Sequence, residues 1–268
     1  MTEQLQNLTL DAEQIQVARH IADEAQQIVE TRYGTGFPHF MGGAEANLAY
    51  HNGYHATSVA EDAVRVGQAL GFSEAELATA HIAGRAHDIV QLKPRGVMEA
   101  ESADWLTEQM QRCNLPSVMV QAGALAILGT EPIFDGNNLV GQKATELAYP
   151  SKSAQRVALA VGSGDFGRMF SPIGPFLSHK LYQQIKEVNP DEAPPMQDLE
   201  KYLAGQTVLR ENYRFPLAQA EPILGKHRPQ VIAYGQEILR QVQRGDLESW
   251  QQLETQDLAF MRSLAHDL

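Results

Sequence analysis

The sequence is poor in several features that quickly assign a protein to a class. It contains a single cysteine, Cys113, among 268 residues, so no internal disulfide can form. That suits a reducing compartment, and the cytoplasm is the expected location. It lacks a long apolar run. The best stretch, Val118 to Gly129, contains Gln121 and is shorter than the roughly 20 residues a membrane-spanning helix needs. The opening, MTEQLQNLTLDAEQ, is polar and has no apolar segment of the signal-peptide kind. Basic residues are scarce, 21 against 33 acidic ones, for a formal net charge of −12. Such a surface repels phosphate backbones and anionic membranes, so neither nonspecific nucleic acid nor a membrane is an expected partner. A local basic pocket for one small phosphate ester remains compatible with it.

Long period-two patterns, repeats at solenoid spacing and low-complexity segments are also missing. Helical periodicity is what is present. After Asp11, a good N-cap, Ile15, Ala18, Ile21, Ala25, Ile28 and Val29 share a face, and Gly34 is the stop. A second helix is expected from about Ala44 to Leu70, closed by Gly71. A third opens at the capping-box pair Ser73 and Glu76, carries Leu77, Ile82 and Ile89, and ends near Pro94. Further helices are expected at about Glu99–Arg112, Ser117–Leu128, Gln142–Val161, Gly174–Val188, Leu217–Gln243 and Asp246–Leu264. GTEPIFDGNN and VGSGDFGRMFSPIGP are expected to be irregular. The expected architecture is all-α, with a helical bundle over residues 1–189 and a helical C-terminal extension over 190–268. The best linker candidate is Asn189 to Pro195.

The chemistry-bearing residues come in three groups. His51 and His55, in AYHNGYHATSV, are four residues apart and on a helix would share a face one turn apart. This is the spacing of the zinc-protease signature H-E-x-x-H, but Asn52 stands where the glutamate would be. A carboxamide cannot accept a proton at neutral pH, so a protease would lack its base. His87 and Asp88 are adjacent in AGRAHDIVQ, among apolar neighbours that imply burial on the third helix. A buried aspartate needs a paired charge, hydrogen bonds or a cation. A second such pair, His266 and Asp267, sits at the chain end and is expected to be solvated. Asp165 lies in AVGSGDFGRMF, whose glycines either admit a close backbone approach or end a helix. Together these residues make a nitrogen and oxygen set suited to one divalent ion (Mn, Fe, Ni, Zn or Mg) with open positions for water.

The order His, His-Asp, Asp resembles the HD superfamily of metal-dependent phosphohydrolases. Within it, Tyr50, His51, Asn52, His55, Ala56 and Val59 resemble the Y-H-N-x-x-H-A-x-x-V stretch of cyclic-nucleotide phosphodiesterases. The resemblance covers about residues 44–185. It implies an HD-domain bundle in which His55, His87, Asp88 and Asp165 hold the metal, while His51 protonates the leaving oxygen and Asp88 takes part in catalysis. It implies hydrolysis of a phosphate ester, on a nucleotide or similar small metabolite, by a metal-activated water. Cyclic-nucleotide cleavage is one alternative; a non-catalytic signalling module that binds metal or ligand is another. The residues themselves leave open which of His51 and His55 is the ligand. The phosphodiesterases carry a further histidine just after the pair, where this chain has Ile89-Val90-Gln91-Leu92. No histidine occurs between His87 and His179, so a single metal is expected.

Candidates for holding a substrate phosphate are His81 and Arg85, which share a face with Asp88 at helical spacing, Lys93 beside Arg95 in QLKPRG, and Arg168, three residues after Asp165. Each also fits an ordinary structural or surface role, as do Glu131 and Asp135. His20, His39, His179 and His227 are read as structural or exposed, and Met98, Met110 and Met119 as core filler. The substrate, and whether the chain forms a homo-oligomer, are left open.

Overall fold

The computed structural model describes residues 9–36, 48–136, 138–188 and 199–264. Among the described residues there are eleven α-helices, short 3-10 turns and one two-stranded sheet, so the fold is all-α. No helix among them is long and apolar enough to cross a membrane. The chain divides into two compact units, Met1–Phe166 with Arg214–Ile223, and Gly167–Tyr213 with Leu224–Leu268. The expected linker at Asn189 to Pro195, His39, and the His266–Asp267 pair lie outside the described residues.

In the first unit, α1 (Ala12–Tyr33) opens at the Asp11/Gln14 capping box. It is followed by α2 (Gly53–Ala69), α3 (Glu74–Ala86), α4 (Val97–Arg112) and α5 (Ser117–Leu128). A hairpin, β1 (Pro132–Asp135) and β2 (Asn138–Gln142), leads to α6 (Lys152–Gly167). Helices α1, α2 and α3 pack on one another, and the α4–α5 pair packs on α3. Ile21, Val29, Val59, Val66, Ile82, Leu106, Met110, Met119 and Ile127 are buried in this core.

Helix α2 is closely approached by α3 and α6 because small residues stand at the contacts. A Cβ on Gly84 of α3 would stand 2.6 Å from Ala60 Cα, and one on Gly164 of α6 would stand 2.6 Å from Val59 O. Both distances are below any van der Waals contact, so two backbones are pressed against α2 within a single turn of it. A second tie joins α3 to α6. Glu76, fully buried, caps α3 and pairs with Arg156 Nη2 at 2.7 Å, and that guanidinium lies over Phe72.

Several element bounds differ from expectation, each for a local reason. Helix α2 begins at Gly53. Asn52 Oδ1 accepts from the backbone N–H groups of Tyr54 and His55, and Asn52 Nδ2 donates to Leu48 O, so residues 48–52 run non-helically into an N-cap. Helix α3 stops at Ala86, with His87 as its C-cap. The His87 ring takes the Gly84 carbonyl through Nδ1 at 2.8 Å, at the turn where the helix would otherwise continue. The expected irregular GTEPIFDGNN forms the hairpin, with a bulge between Ile133 and Phe134. Residue 142 therefore ends a strand, and α6 starts ten residues later, where Ser151 Oγ accepts from Ala154 N. The glycines expected to interrupt α6 lie inside it.

In the second unit, α7 (Gly174–Val188) has the expected bounds, and α8 (Leu199–Asn212) was not expected. The single helix expected over Leu217–Gln243 is broken into a 3-10 turn and the four-residue α9 (Glu221–Leu224), which fall in the first unit up to Ile223, and α10 (Arg228–Arg244), which precedes α11 (Trp250–Leu264) in the second. Pro222 and Pro229 each sit in a first turn, where proline is tolerated but bars continuation from the preceding helix. Tyr182, Leu203, Ile238, Trp250 and Leu253 form the core of this unit, with Tyr182 stacked on Trp250. Inside it, Tyr234 donates to Asp257, and His179 Nδ1 lies 2.7 Å from the other oxygen of that carboxylate.

Candidate metal centre

Three separated segments meet around the first turn of α2. His55 is the third residue of that helix and is buried. His87 and Asp88 follow the end of α3, which Gly84 holds against Ala60, about one turn along α2 from His55. Asp165 sits in the last turn of α6, next to the Gly164 that lies against Val59. The two close approaches to α2 thus aim His87, Asp88 and Asp165 at His55.

The resulting distances fit a coordination shell. His55 Nε2 lies 3.3 Å from Asp88 Oδ2 and 3.2 Å from Asp165 Oδ1. His87 Nε2 lies 3.1 Å and 3.7 Å from the same two oxygens, and the two Nε2 atoms are 3.2 Å apart. Ligand atoms about 2.1 Å from a common ion stand roughly 3.0 Å apart in an octahedron and roughly 3.4 Å apart in a tetrahedron. Asp88 Oδ2 is buried and has no hydrogen-bond partner, a costly state that a cation would relieve. Two carboxylates with two neutral imidazoles carry a charge of −2, the complement of a divalent ion. His55, His87 and Asp165 could therefore hold a metal ion, and so could His51, His55 and Asp88, whose ligand atoms also lie within 4.8 Å of one another.

The electrostatics point the same way. His87 has its Nδ1 on Gly84 O, which leaves Nε2 as the atom facing the carboxylates. Burial alone would lower its pKa, but the negative charge of Asp88 and then the close approach of Asp165 raise it well above the ordinary 6.5. Burial would raise Asp88, yet His87 and then His51 hold it well below the usual carboxylate range. Asp165 is likewise lowered, against its burial, by hydrogen bonds to His55 and His87. The two carboxylates thus favour a positive charge between them.

His51 is not on α2, contrary to expectation; it precedes the Asn52 cap and is half-buried. The capping turn still brings its ring to 5.5 Å from that of His55, edge to face, and Tyr50 packs against both imidazoles. Burial, ahead of the surrounding charges, lowers the pKa of His51.

Two residues beyond the expected set belong to this site. Gln91 Nε2 donates to Asp88 Oδ1 at 2.8 Å, and Gln142 Nε2 donates to Asp165 Oδ2 at 3.0 Å. Gln142 is fully buried at the end of β2, with its Oε1 3.1 Å from where a Cβ on Gly162 would be. The Asp135-Gly136 pair, with Gly136 at φ 59°, is a hairpin signal that could have placed Gln142 on a strand. Gln91 carries no comparable signal.

Of the expected phosphate-holding residues, Arg85 and Lys93 have other side chains as partners. Arg85 donates to Gln26 and Thr57, tying α3 to α1 and α2. The pKa of His81 is lowered by burial and by the neighbouring Arg85. Lys93 pairs with Glu101 at the surface, and Glu131 pairs with Lys143. Arg168 belongs to the second unit. The chain matches no family model, no curated protein and no solved structure.

Proposed function

We propose that this chain is a single-metal phosphohydrolase of the HD type, acting on a phosphate ester of a nucleotide or similar small metabolite in the cytoplasm. The observation that carries the reading is that Nε2 of His55 and of His87 lie 3.1–3.7 Å from each other and from one oxygen each of Asp88 and Asp165. The motif around Tyr50 to Val59 and the order of the ligands add the reaction class. A divalent cation held there would neutralise phosphoryl charge and acidify a water.

The chain's own residues do the rest. His87 is kept in the ligating tautomer by Gly84 O. Tyr50 packs against His51 and His55 and fixes the spacing of their rings. His51, neutral through burial in the resting site, gains a proton when a phosphate brings negative charge beside it, and an imidazole nitrogen then passes that proton to the leaving oxygen.

The test combines elemental analysis of the purified chain with a hydrolysis panel of p-nitrophenyl phosphate, 5′-nucleotides and cyclic AMP and GMP, each with Mn, Ni, Co or Mg. Stoichiometric metal and hydrolysis that His87→Ala and Asp88→Asn abolish are expected, with His51→Ala lowering turnover but not metal content. Hydrolysis that survives loss of His87 and Asp88 would overturn the reading. Metal binding without any turnover would leave a binding module in its place.

A further inference from the structure

Each carboxylate of the cluster is divided between two tasks. Asp88 gives Oδ1 to the Gln91 amide and keeps Oδ2, buried and without a hydrogen bond, 3.1 and 3.3 Å from the two Nε2 atoms. Asp165 gives Oδ2 to the Gln142 amide and keeps Oδ1, 3.2 and 3.7 Å from the same nitrogens. The two glutamines come from different places, one from the loop after α3 and one from the end of β2, yet they make the same bond to the same kind of group. Gln142 is itself fixed: it is fully buried, its Nε2 also donates to Thr130 O at 3.3 Å, and Gly162 makes room for its Oε1.

We propose that Gln91 and Gln142 are positioning residues that restrict Asp88 and Asp165 to one-oxygen ligation, and that this restriction makes the site select a small first-row divalent cation over calcium. The inference rests on the metal-binding part of the proposed function. Calcium takes six to eight oxygens and commonly uses both oxygens of a carboxylate. To offer both, each aspartate would have to turn about its side chain and give up a charge-assisted amide hydrogen bond. A smaller ion needs one oxygen from each aspartate and gains from the two imidazole nitrogens, which calcium does not favour. The glutamine bonds also hold each oxygen to the few tenths of an ångström that a small coordination shell requires.

The test measures metal affinity, not turnover. The metal-stripped full chain is titrated calorimetrically with Mn2+ and with Ca2+, and the Co2+-loaded form is examined by visible absorption. The variants are Gln142→Met, which keeps length and bulk but has no donor, and Gln91→Ala. Each variant is expected to lose about 10–100-fold in Mn2+ affinity, to narrow the Mn2+/Ca2+ ratio and to shift the Co2+ bands, with its far-ultraviolet circular dichroism unchanged. A ratio and Co2+ spectrum equal to wild type in both variants would overturn the inference while leaving the metal reading intact. Absence of Mn2+ binding in the wild-type chain would overturn both. If Gln142→Met does not fold, the partly exposed Gln91 decides the matter alone.

Discussion

Gly164→Ala is the smallest change that tests how the site is assembled. The added Cβ would stand 2.6 Å from Val59 O, 3.1 Å from Ala63 N and 3.5 Å from Ala63 Cβ. Ordinary contact begins near 3.4 Å, so the closest approach falls short by the difference of 3.4 and 2.6, or 0.8 Å. The obstructing atoms are backbone, and no side chain can swing aside. Helix α6 must therefore back away from α2 by roughly that distance, taking Asp165 away from His55, now 3.2 Å away. Overpacking of this kind costs about 1–3 kcal/mol, and the better helix propensity of alanine offsets about 1 kcal/mol of it. Stability should then fall by only about 0–2 kcal/mol. Metal affinity should fall at least about tenfold, because a shell is held to within roughly 0.2 Å. Calorimetric titration with Mn2+ and a thermal melt read the two effects separately. Gly205→Ala in α8 is the control, since nothing lies within 4 Å of its added Cβ; it should gain stability and leave Mn2+ binding alone. If Gly164→Ala binds Mn2+ within about threefold of wild type and melts higher, the close approach of α6 does not position Asp165, and the reasoning fails.

Two further outcomes follow from the same packing. Arg156→Ala leaves Glu76 fully buried without its cation. Such a loss costs about 3–5 kcal/mol for a wholly buried pair. Because the arginine side chain is 36% exposed, water screens the pair, and about 2–3 kcal/mol is expected from a urea titration; a change below about 0.5 kcal/mol would show that the pair does not hold α6 to α3. His81 has its pKa pushed below 6.5 by burial and then by Arg85. The unfolded chain therefore binds the extra proton first, so His81 contributes stability that is full above pH 6.5 and is lost as the pH falls through its folded pKa. His81→Gln should flatten the fall in urea midpoint between pH 7.5 and pH 5.5, and an unchanged slope would show that another group governs it.

Helix existence was legible wherever local signals and tertiary packing agree. Asp11 caps α1 as read, and α5 and α7 have the bounds their patterns suggest. The misplacements have two causes, a local side chain that competes for the backbone and a partner distant in sequence. Gly162 and Gly164 look like helix breakers because glycine is locally unfavourable, but they lie within α6, where Gln142 comes close to the first and the backbone of α2 leaves no room for a Cβ on the second. Residues 87–90 continue an apolar pattern, but the His87 ring competes for the Gly84 carbonyl. The residue types that could bind a metal could be read directly, since that capacity belongs to a single side chain. The equivalence of His51 and His55 could not be resolved that way, because four-residue spacing relates them only if both are helical. Asn52 breaks that symmetry by capping the helix between them. His55 is then carried by a buried helix whose backbone is clamped on two sides, and His51 by the irregular segment before it. A shell held to tenths of an ångström calls for the clamped carrier, whereas a proton donor that follows a substrate does not. The division of labour proposed for the two histidines follows from that difference in support.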